Sequence, residues 1–337
     1  MIPGGKKRAL SLKSSFNLIK SEIESVEETL TKLTNGFDPG VAPYVSYVCG
    51  TEGKRIRPAL TFLVGGAISD LTQRHVDLAA TLELIHIASL VHDDIIDGAA
   101  ERRSVATVNA KWGEGIAVLL GDALFSHAMM LATEFEDIFL AKEISMAARD
   151  VCQGEILQSQ RRFDLSMTEQ EYFKLLEMKT GALFGAATGL AAYISGADPE
   201  EVQTLQKFGL DLGTAYQIYD DCLDMVGSEV DSGKTLGTDS EKGKMTLPLL
   251  YLLERTSEEK QQKLREIITN QAALDLPAIV GEEEYIQANE DALNYALSLL
   301  ESCLAKAQTL PNQKYRDALT SVCKYIENLF LELKARP

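Results

Sequence analysis

The longest proline-free stretch of this chain does most to limit its fold. Residues 59–198, 140 residues in a row, contain no proline, and no segment alternates β-branched and polar residues with the two-residue period of a strand. Apolar residues recur at helical spacing through roughly 15–33, 71–97, 115–137, 139–160, 168–194, 199–227, 246–255, 282–309 and 313–335. The sequence therefore predicts an all-α fold.

No linker or repeat divides these helical segments. The chain has no Ser/Gly-rich stretch and no self-similarity at a solenoid period, so we expect one large helical domain over residues 1–337, with a flexible tail at residues 1–12. Thr180 to Ala197 is uncharged and long enough to raise a transmembrane question. Because it is built from glycine and alanine, we interpret it as a core helix and expect no integral membrane segment.

Charge and cysteine usage limit the possible partners. The chain has 33 Lys+Arg against 50 Asp+Glu, a formal net charge of −17. A bulk basic surface for nucleic acid is therefore excluded, because binding by counterion release needs clustered cations. The five cysteines are widely spread without a CxxC pair, which argues against a disulfide framework or a structural zinc site and favours a cytoplasmic location.

The same acidic DDxxD pattern occurs twice, each time inside an apolar helical segment. The motif residues are Asp93, Asp94, Asp97, Asp220, Asp221 and Asp224. Helical residues four apart share a face, so the outer carboxylates of each motif would lie side by side and repel each other. Two such motifs favour a bound cation over a solvated acidic face. Carboxylates without His or Cys suit Mg²⁺, which commonly bridges them to phosphate oxygens.

Basic residues lie close to both motifs in the sequence, as a polyphosphate ligand would require. Arg102 and Arg103 follow the first motif, and Lys234 and Lys244 follow the second. A third basic patch holds Lys54 and Arg57. Arginine suits bidentate phosphate contact, and lysine acts as a point charge.

Eight segments together resemble the trans-isoprenyl diphosphate synthases in order and spacing, from about residue 45 to 255. They are GKRIRP (53–58), LIHIASLVHDDIID (84–97), ERR (101–103), TVNAKWGEGIAVLLGDALF (107–125), KTGALF (179–184), YQIYDDCLD (216–224), GKTLGTD (233–239) and GKMTLPL (243–249). The resemblance implies a single large helical bundle of the isoprenoid synthase type with a central cavity, and a homodimer. It also implies Mg²⁺-dependent condensation of isopentenyl diphosphate with an allylic diphosphate such as farnesyl diphosphate, with release of pyrophosphate.

The resemblance also assigns residues to roles. Three Mg²⁺ would be held by Asp93, Asp97 and Asp220, with Asp94, Asp221 and Asp224 in supporting or water-mediated positions. The residues that match the allylic diphosphate site are Arg102, Lys179, Thr180, Gln217, Lys234 and Lys244. Those that match the isopentenyl diphosphate site are Lys54, Arg57, His86 and Arg103. Two positions depart from the family pattern, since Glu52 and Ser104 stand where glycine is usual, both in loops of the isopentenyl site.

Small residues before the first motif bear on product length. Ala88 and Ser89 precede Asp93 by five and four residues, about 5.4 Å deeper on the helix. Similar synthases that stop at fifteen carbons have aromatic residues at or near these positions. We therefore expect a product of twenty carbons or more, favouring a long-chain polyprenyl diphosphate that could bring the enzyme into transient membrane contact. Candidates for a deeper pocket floor are Leu84, Ile85, Phe125 and Met129.

Other readings of these motifs have less support. A geranylgeranyl diphosphate synthase remains an alternative, and a terpene cyclase or a non-catalytic synthase subunit are weaker ones. A cyclase needs neither the second complete motif nor a second diphosphate site, and non-catalytic subunits usually lose an aspartate. Glu83 and His86 form one ExxH pattern, but a di-iron bundle needs two.

Overall fold

The computed structural model describes residues 15–51, 53–226, 242–269 and 276–335. The helices within these ranges are α1 (Lys20–Leu33), α2 (Ala42–Cys49), α3 (Ile56–Ile68), α4 (Gln73–Ile96), α5 (Val108–Trp112), α6 (Glu114–Glu134), α7 (Ile138–Gln160), α8 (Glu169–Leu176), α9 (Ala182–Ile194), α10 (Pro199–Val226), α11 (Leu247–Arg255), α12 (Glu258–Thr269), α13 (Leu276–Val280), α14 (Glu282–Ala307) and α15 (Gln313–Lys334). The prediction of an all-α fold is confirmed.

Periodicity located the long amphipathic helices but missed α2 and α3. Helix α3 has ten buried residues out of thirteen, so it is apolar on every side and shows no helical period to detect. The segment predicted as one helix over 168–194 is divided into α8, a π-helical turn at Glu177–Gly181, and α9.

A short β-hairpin after α4 was also not predicted. Strand β1 (Glu101–Arg102) pairs antiparallel with β2 (Val105–Ala106). The two turn residues, Arg103 and Ser104, have φ angles of 53° and 62°, the left-handed conformation of a two-residue type I′ turn. Glycine adopts this conformation most readily, which explains why glycine is usual at the position of Ser104.

Contacts group the described residues into two compact units. The first contains described residues up to Val151 together with Ala182–Gly209 and Lys306–Val322. In it, α4 packs mainly against α6 and α3, and α9 packs against α3 and α4. The second contains Cys152–Gly181 and described residues of Leu210–Ala305 and Cys323–Pro337. The single domain over 1–337 stays a prediction.

The uncharged segment after Thr180 forms a core helix of the first unit. Ten residues of α9 are buried, and its Gly189 lies so close to α10 that an added Cβ would meet the Cβ of Gln206 at 2.8 Å. Among the described residues, α6 is the one helix long and apolar enough to cross a bilayer, with a mean hydropathy of 1.6 over its most apolar window. The absence of an integral membrane segment stays a prediction.

Gly209 permits the closest approach between α9 and α10. An added Cβ would lie 2.2 Å from the hydroxyl of Thr188 and 2.3 Å from the carbonyl oxygen of Phe184. The Thr188 hydroxyl also donates to the carbonyl of Leu205 at 2.6 Å. Because a backbone carbonyl cannot move aside as a flexible side chain can, this contact requires glycine.

We predict that Gly209→Ala lowers the free energy of unfolding by about 1–3 kcal/mol, the usual cost of overpacking. Urea-induced unfolding followed by circular dichroism measures this difference. The control is Gly115→Ala in α6, where an added Cβ meets nothing within 4 Å, so stability should stay the same or rise by up to about 1 kcal/mol. Equal effects of the two substitutions would contradict the proposed packing role.

Candidate functional site

The first motif lies at the carboxyl end of α4. Asp93 and Asp97 are half-buried and one helical turn apart, since the Asp97 amide donates to the Asp93 carbonyl at 2.8 Å. Asp94 is only 5% exposed, and its Oδ1 accepts bonds from Nε and Nη2 of Arg102 at 2.9 and 2.8 Å. Burial raises the pKa of Asp94, and the Arg102 guanidinium opposes this shift. The prediction that the outer carboxylates share a helix face is confirmed.

The segment after the first motif folds back to bring Arg102 to Asp94. The Ala99 amide donates to the Asp94 carbonyl at 2.9 Å, and the Thr107 hydroxyl donates to the Ala99 carbonyl at 2.7 Å. Asn109 Nδ2 also donates to the Ala99 carbonyl, at 3.0 Å. These bonds hold both ends of the hairpin against α4, so Arg102, predicted to contact an allylic diphosphate, here pairs with the middle aspartate.

Three residues predicted to bind isopentenyl diphosphate lie close to one another in the first unit. Burial lowers the pKa of His86 well below its usual value, and the positive charges of Arg57, Arg102 and Arg103 lower it further. The Arg103 guanidinium also approaches Gly53, where an added Cβ would lie 3.3 Å from Nη1. Arg57 stacks over the ring of Phe184 at 4.8 Å. These residues form a cationic cluster around a neutral histidine.

An ion triad built on the buried Arg55, which sequence reasoning missed, holds the loop before α3. Arg55 is 7% exposed and donates to Glu27 at 2.5 Å and to Glu83 at 2.8 Å. Glu83, the glutamate of the ExxH pattern, therefore forms an ion pair with the Arg55 guanidinium. Arg55 adopts a left-handed φ of 47° at the start of α3, next to the exposed Lys54. The triad fixes the loop that carries Lys54.

The second motif lies near the carboxyl end of α10 and repeats the arrangement of the first. Asp220 and Asp224 are half-buried, and Asp221 is 7% exposed. The Tyr172 hydroxyl donates to Asp221 Oδ2 at 2.7 Å, and Gln217 Nε2 donates to Oδ1 at 3.0 Å. In both motifs, the middle aspartate is buried and bonded to the protein, and the outer two are more accessible.

The predicted pair Lys179 and Thr180 lies in the π-helical turn, a feature frequent at functional sites. Lys179 forms an ion pair with Glu155 and donates to Gln158 Oε1 at 2.6 Å. The Thr180 hydroxyl donates to Gln217 Oε1 at 3.1 Å, which joins two predicted residues.

Helix α7 supplies residues that the motif search missed. Gly154 packs directly on the turn, because an added Cβ would lie 2.6 Å from the Lys179 amide nitrogen. Glu155 and Gln158, the partners of Lys179, follow it on the same helix. An isolated glycine inside a helical pattern was the available signal, since it marks a close backbone approach.

Lys244 lies beside the second motif. It lines a cavity of about 20 Å³ with Gln158, Arg161, Met167, Tyr172, Leu175, Asp221, Met245 and Thr246. The preceding Gly243 has a φ of 71° and packs on Phe163, whose amide donates to the Gly243 carbonyl at 2.8 Å. Lys234 and the rest of segment 233–239 lie outside the described residues.

The residues proposed to set product length lie on α4 and α6. Ala88 and Ile85 are fully buried, and the Ser89 hydroxyl donates to the His86 carbonyl at 2.8 Å. Phe125 stacks on His92 with 5.9 Å between ring centroids, which places it level with the first motif. That α6 faces α4 is confirmed, and the pocket role of these residues stays a prediction.

The motif carboxylates suit Mg²⁺ by their chemistry. They are hard oxygen donors, and two in each motif are accessible. Within the described ranges, no group of three or more His, Cys, Asp or Glu side chains is arranged to hold a metal ion. Since Mg²⁺ retains waters and takes oxygens from bound phosphate, two carboxylates from one motif fit its usual mode of binding.

Comparison with known proteins identifies similar chains. The profile of the polyprenyl synthetase family matches residues 39–280. Octaprenyl diphosphate synthase of Escherichia coli (strain K12) is 34% identical over 282 residues, covering 81% of this chain and 85% of the relative. Short chain isoprenyl diphosphate synthase of Methanothermobacter thermautotrophicus is 36% identical over 317 residues, covering 92% and 97%.

Solved structures are similar over nearly the whole chain. The crystal structure of polyprenyl synthase from Caulobacter crescentus CB15, complexed with calcium and isoprenyl diphosphate, gives a TM-score of 0.85 at 28% identity. The match covers 97% of this chain and 98% of that one.

We predict that Gly154→Ala weakens the binding of pyrophosphate with Mg²⁺ by about 10-fold or more, the loss expected for one charge-assisted hydrogen bond. The added methyl group would displace the Lys179 backbone and move its ammonium group. Isothermal titration calorimetry measures the affinity. Gln153→Ala, an exposed neighbour on α7, should bind as tightly as the unaltered protein. Equal affinity in both variants would show that Gly154 does not position Lys179.

Proposed function

Because the chain belongs to the polyprenyl synthetase family of prenyltransferases, we propose that it condenses isopentenyl diphosphate with an allylic diphosphate to give a trans-polyprenyl diphosphate and pyrophosphate. The family assignment confirms the resemblance found in the motifs. The observation that carries the proposal is the presence of two complete DDxxD motifs, each with accessible outer aspartates and an anchored middle one. An allylic diphosphate bound through metal ions would account for both motifs, and isopentenyl diphosphate would account for the separate basic cluster.

Charge separation dominates the chemistry of this condensation. The allylic diphosphate ionises at C1, the double bond of isopentenyl diphosphate attacks the cation, and the departing pyrophosphate takes the final proton. Bound Mg²⁺, for which we propose three ions, supplies positive charge to the leaving group. Asp93, Asp97 and Asp220 would hold the metal, with Asp94, Asp221 and Asp224 in support.

The cationic cluster of the first unit is the proposed site for isopentenyl diphosphate. Arg57, Arg103 and Lys54 would contact its phosphates. Since burial and the nearby arginines keep His86 neutral, we propose that it donates one ring N–H without carrying charge.

The second unit contributes most of the proposed allylic diphosphate site. Lys179, Thr180, Gln217 and Lys244 would hold this substrate, and Glu155 would release Lys179 to it, because a diphosphate carries more charge than one carboxylate. Arg102 and Lys234 complete the proposed set. Arg102 would keep its bond to Asp94 and use its remaining N–H groups, since guanidinium has five.

The small buried residues of α4 support a long product. Ala88 has no side chain that could stop a growing tail near the first motif, and the Ser89 hydroxyl is bonded within the helix. The octaprenyl synthase among the relatives agrees with a long-chain product, and geranylgeranyl diphosphate is the alternative.

A homodimer is part of the proposal. The apolar side chains exposed on α6 and the start of α7 are Val118, Leu119, Met130, Ile138 and Phe139. Leu119 is 65% exposed, and exposed apolar side chains of this size are common in interfaces. Sedimentation velocity at micromolar concentration would detect the dimer.

We also propose a cytoplasmic enzyme that contacts membranes only transiently.

The function is tested with purified protein, Mg²⁺, farnesyl diphosphate and isopentenyl diphosphate. We expect pyrophosphate release and linear polyprenyl products by mass spectrometry, and no turnover in EDTA. Asp93→Asn and Asp220→Asn should each lower kcat by about 100-fold or more, the usual effect of removing a transition-state-stabilising group. A cyclic hydrocarbon, or no consumption of isopentenyl diphosphate, would refute the assignment.

We predict that Ala88→Phe shifts the main product to shorter chains, because the ring would block the path of the tail below Asp93. Mass spectrometry of the dephosphorylated products measures the distribution. Ala88→Leu should give a smaller shift, and Ala110→Phe, at an exposed position on α5, should give none. An unchanged distribution in Ala88→Phe would mean that residue 88 does not line the tail pocket.

A further inference from the structure

Tyr172 is buried beside the second motif, and the motifs of the sequence assign it no role. It is 2% exposed and lies on α8, 49 residues before Asp221. A capping box starts this helix, with the Glu171 amide donating to the Thr168 hydroxyl at 3.2 Å and Glu171 Oε2 accepting from the Thr168 amide at 2.9 Å. The capping box therefore fixes the first turn of α8, which carries Tyr172.

The hydrogen bonds of Tyr172 fix where its proton points. Burial and Asp221 raise the pKa of Tyr172, and the backbone N–H of Leu247 beside its oxygen opposes this rise. Leu247 is the first residue of α11, so its N–H has no partner within that helix. A phenol has only one proton to donate, and here that proton goes to Asp221 Oδ2 at 2.7 Å.

The other carboxylate oxygen of Asp221, Oδ1, also has a defined hydrogen-bond donor. Gln217 Nε2 donates to Oδ1 at 3.0 Å, and the Thr180 hydroxyl donates to Gln217 Oε1 at 3.1 Å. Because the carboxylate can only accept, it selects the nitrogen end of the Gln217 amide, and the oxygen end then accepts from Thr180. With a donor on each oxygen, the Asp221 carboxylate is fixed in position and plane.

We propose that Tyr172 is a positioning residue of the reaction, which acts through Asp221 to set the affinity of the second motif for hydrated Mg²⁺. A carboxylate oxygen can accept more than one hydrogen bond, so Asp221 would also accept from water on a cation held by Asp220. Removing the hydroxyl of Tyr172 would take away the donor to Oδ2 and let the Asp221 carboxylate rotate. This inference rests on the proposed function for the identity of the ligand.

A comparison of two tyrosine variants tests the hydroxyl. Tyr172→Phe removes the bond to Asp221, and the control Tyr251→Phe removes a similar bond to Glu169 at 3.2 Å in the same unit. Mg²⁺ is titrated in the presence of pyrophosphate, and the rise in the thermal unfolding temperature is recorded. The readout is the Mg²⁺ concentration at half of the maximal rise, the binding midpoint. We expect this midpoint to rise by about 10-fold in Tyr172→Phe, as for other partners of metal ligands, and to stay unchanged in Tyr251→Phe.

Kinetics and a double-mutant cycle separate positioning from packing. The KM for isopentenyl diphosphate should stay within twofold in Tyr172→Phe, while the Mg²⁺ dependence of kcat moves with the binding midpoint. In an Asp221→Ala background, Tyr172→Phe should add less than a further twofold shift, because the residue through which it acts is gone. The proposal would be overturned if Tyr172→Phe raised the Mg²⁺ midpoint by the same factor in the Asp221→Ala background as alone. An unchanged midpoint in Tyr172→Phe itself would also overturn it.

If Tyr172→Phe does not fold, two unnatural amino acids of nearly the same shape as tyrosine test the same hydroxyl. 4-Aminophenylalanine at position 172 keeps a donor and should restore the unaltered midpoint, whereas 4-fluorophenylalanine lacks a donor and should raise it. Equal midpoints would refute the role of the hydroxyl. The binding measurement does not depend on turnover, so failure of the condensation assay with intact Mg²⁺ and pyrophosphate binding would refute the proposed function alone.

Discussion

The burial of a carboxylate in the middle of each motif is the constraint on which both motifs depend. Two outer aspartates one turn apart cost only about 0.2–0.5 kcal/mol when exposed. Burying the middle aspartate without a partner would cost far more, since breaking a buried ion pair costs about 3–5 kcal/mol. The partners of Asp94 and Asp221 therefore matter most for the fold, and the outer residues remain accessible for a cation.

The two motifs meet this constraint with different chemistry. Asp94 forms an ion pair with the guanidinium of Arg102, whereas Asp221 accepts hydrogen bonds from the neutral side chains of Tyr172 and Gln217. The net charge of −17 is compatible with anionic substrates, because local cations and metal ions, not the whole surface, would hold them.

The parts of the site that follow from local periodicity could be predicted from sequence. The helices of both motifs and the shared face of Asp93 and Asp97 depend only on residues within a turn of each other. The partnership of Tyr172 with Asp221 could not be predicted, since it joins residues far apart in sequence through tertiary packing. Helix α3 was not predicted because a helix buried on every side shows no polar period. The turn at Lys179 was not predicted because one π-helical turn does not disturb the helical spacing of apolar residues.

The hairpin turn after the first motif has a consequence for the evolution of its sequence. A non-glycine residue in the left-handed conformation costs about 1–2 kcal/mol. Glycine at the same position would avoid this cost but would give the unfolded chain more freedom, a penalty of about 0.4–1 kcal/mol. The net cost of serine is therefore at most about 1.6 kcal/mol, and Ser104 still leaves Arg103 directed towards Gly53. The residue at position 104 thus affects the stability of the turn first, and it is a poor marker of substrate affinity.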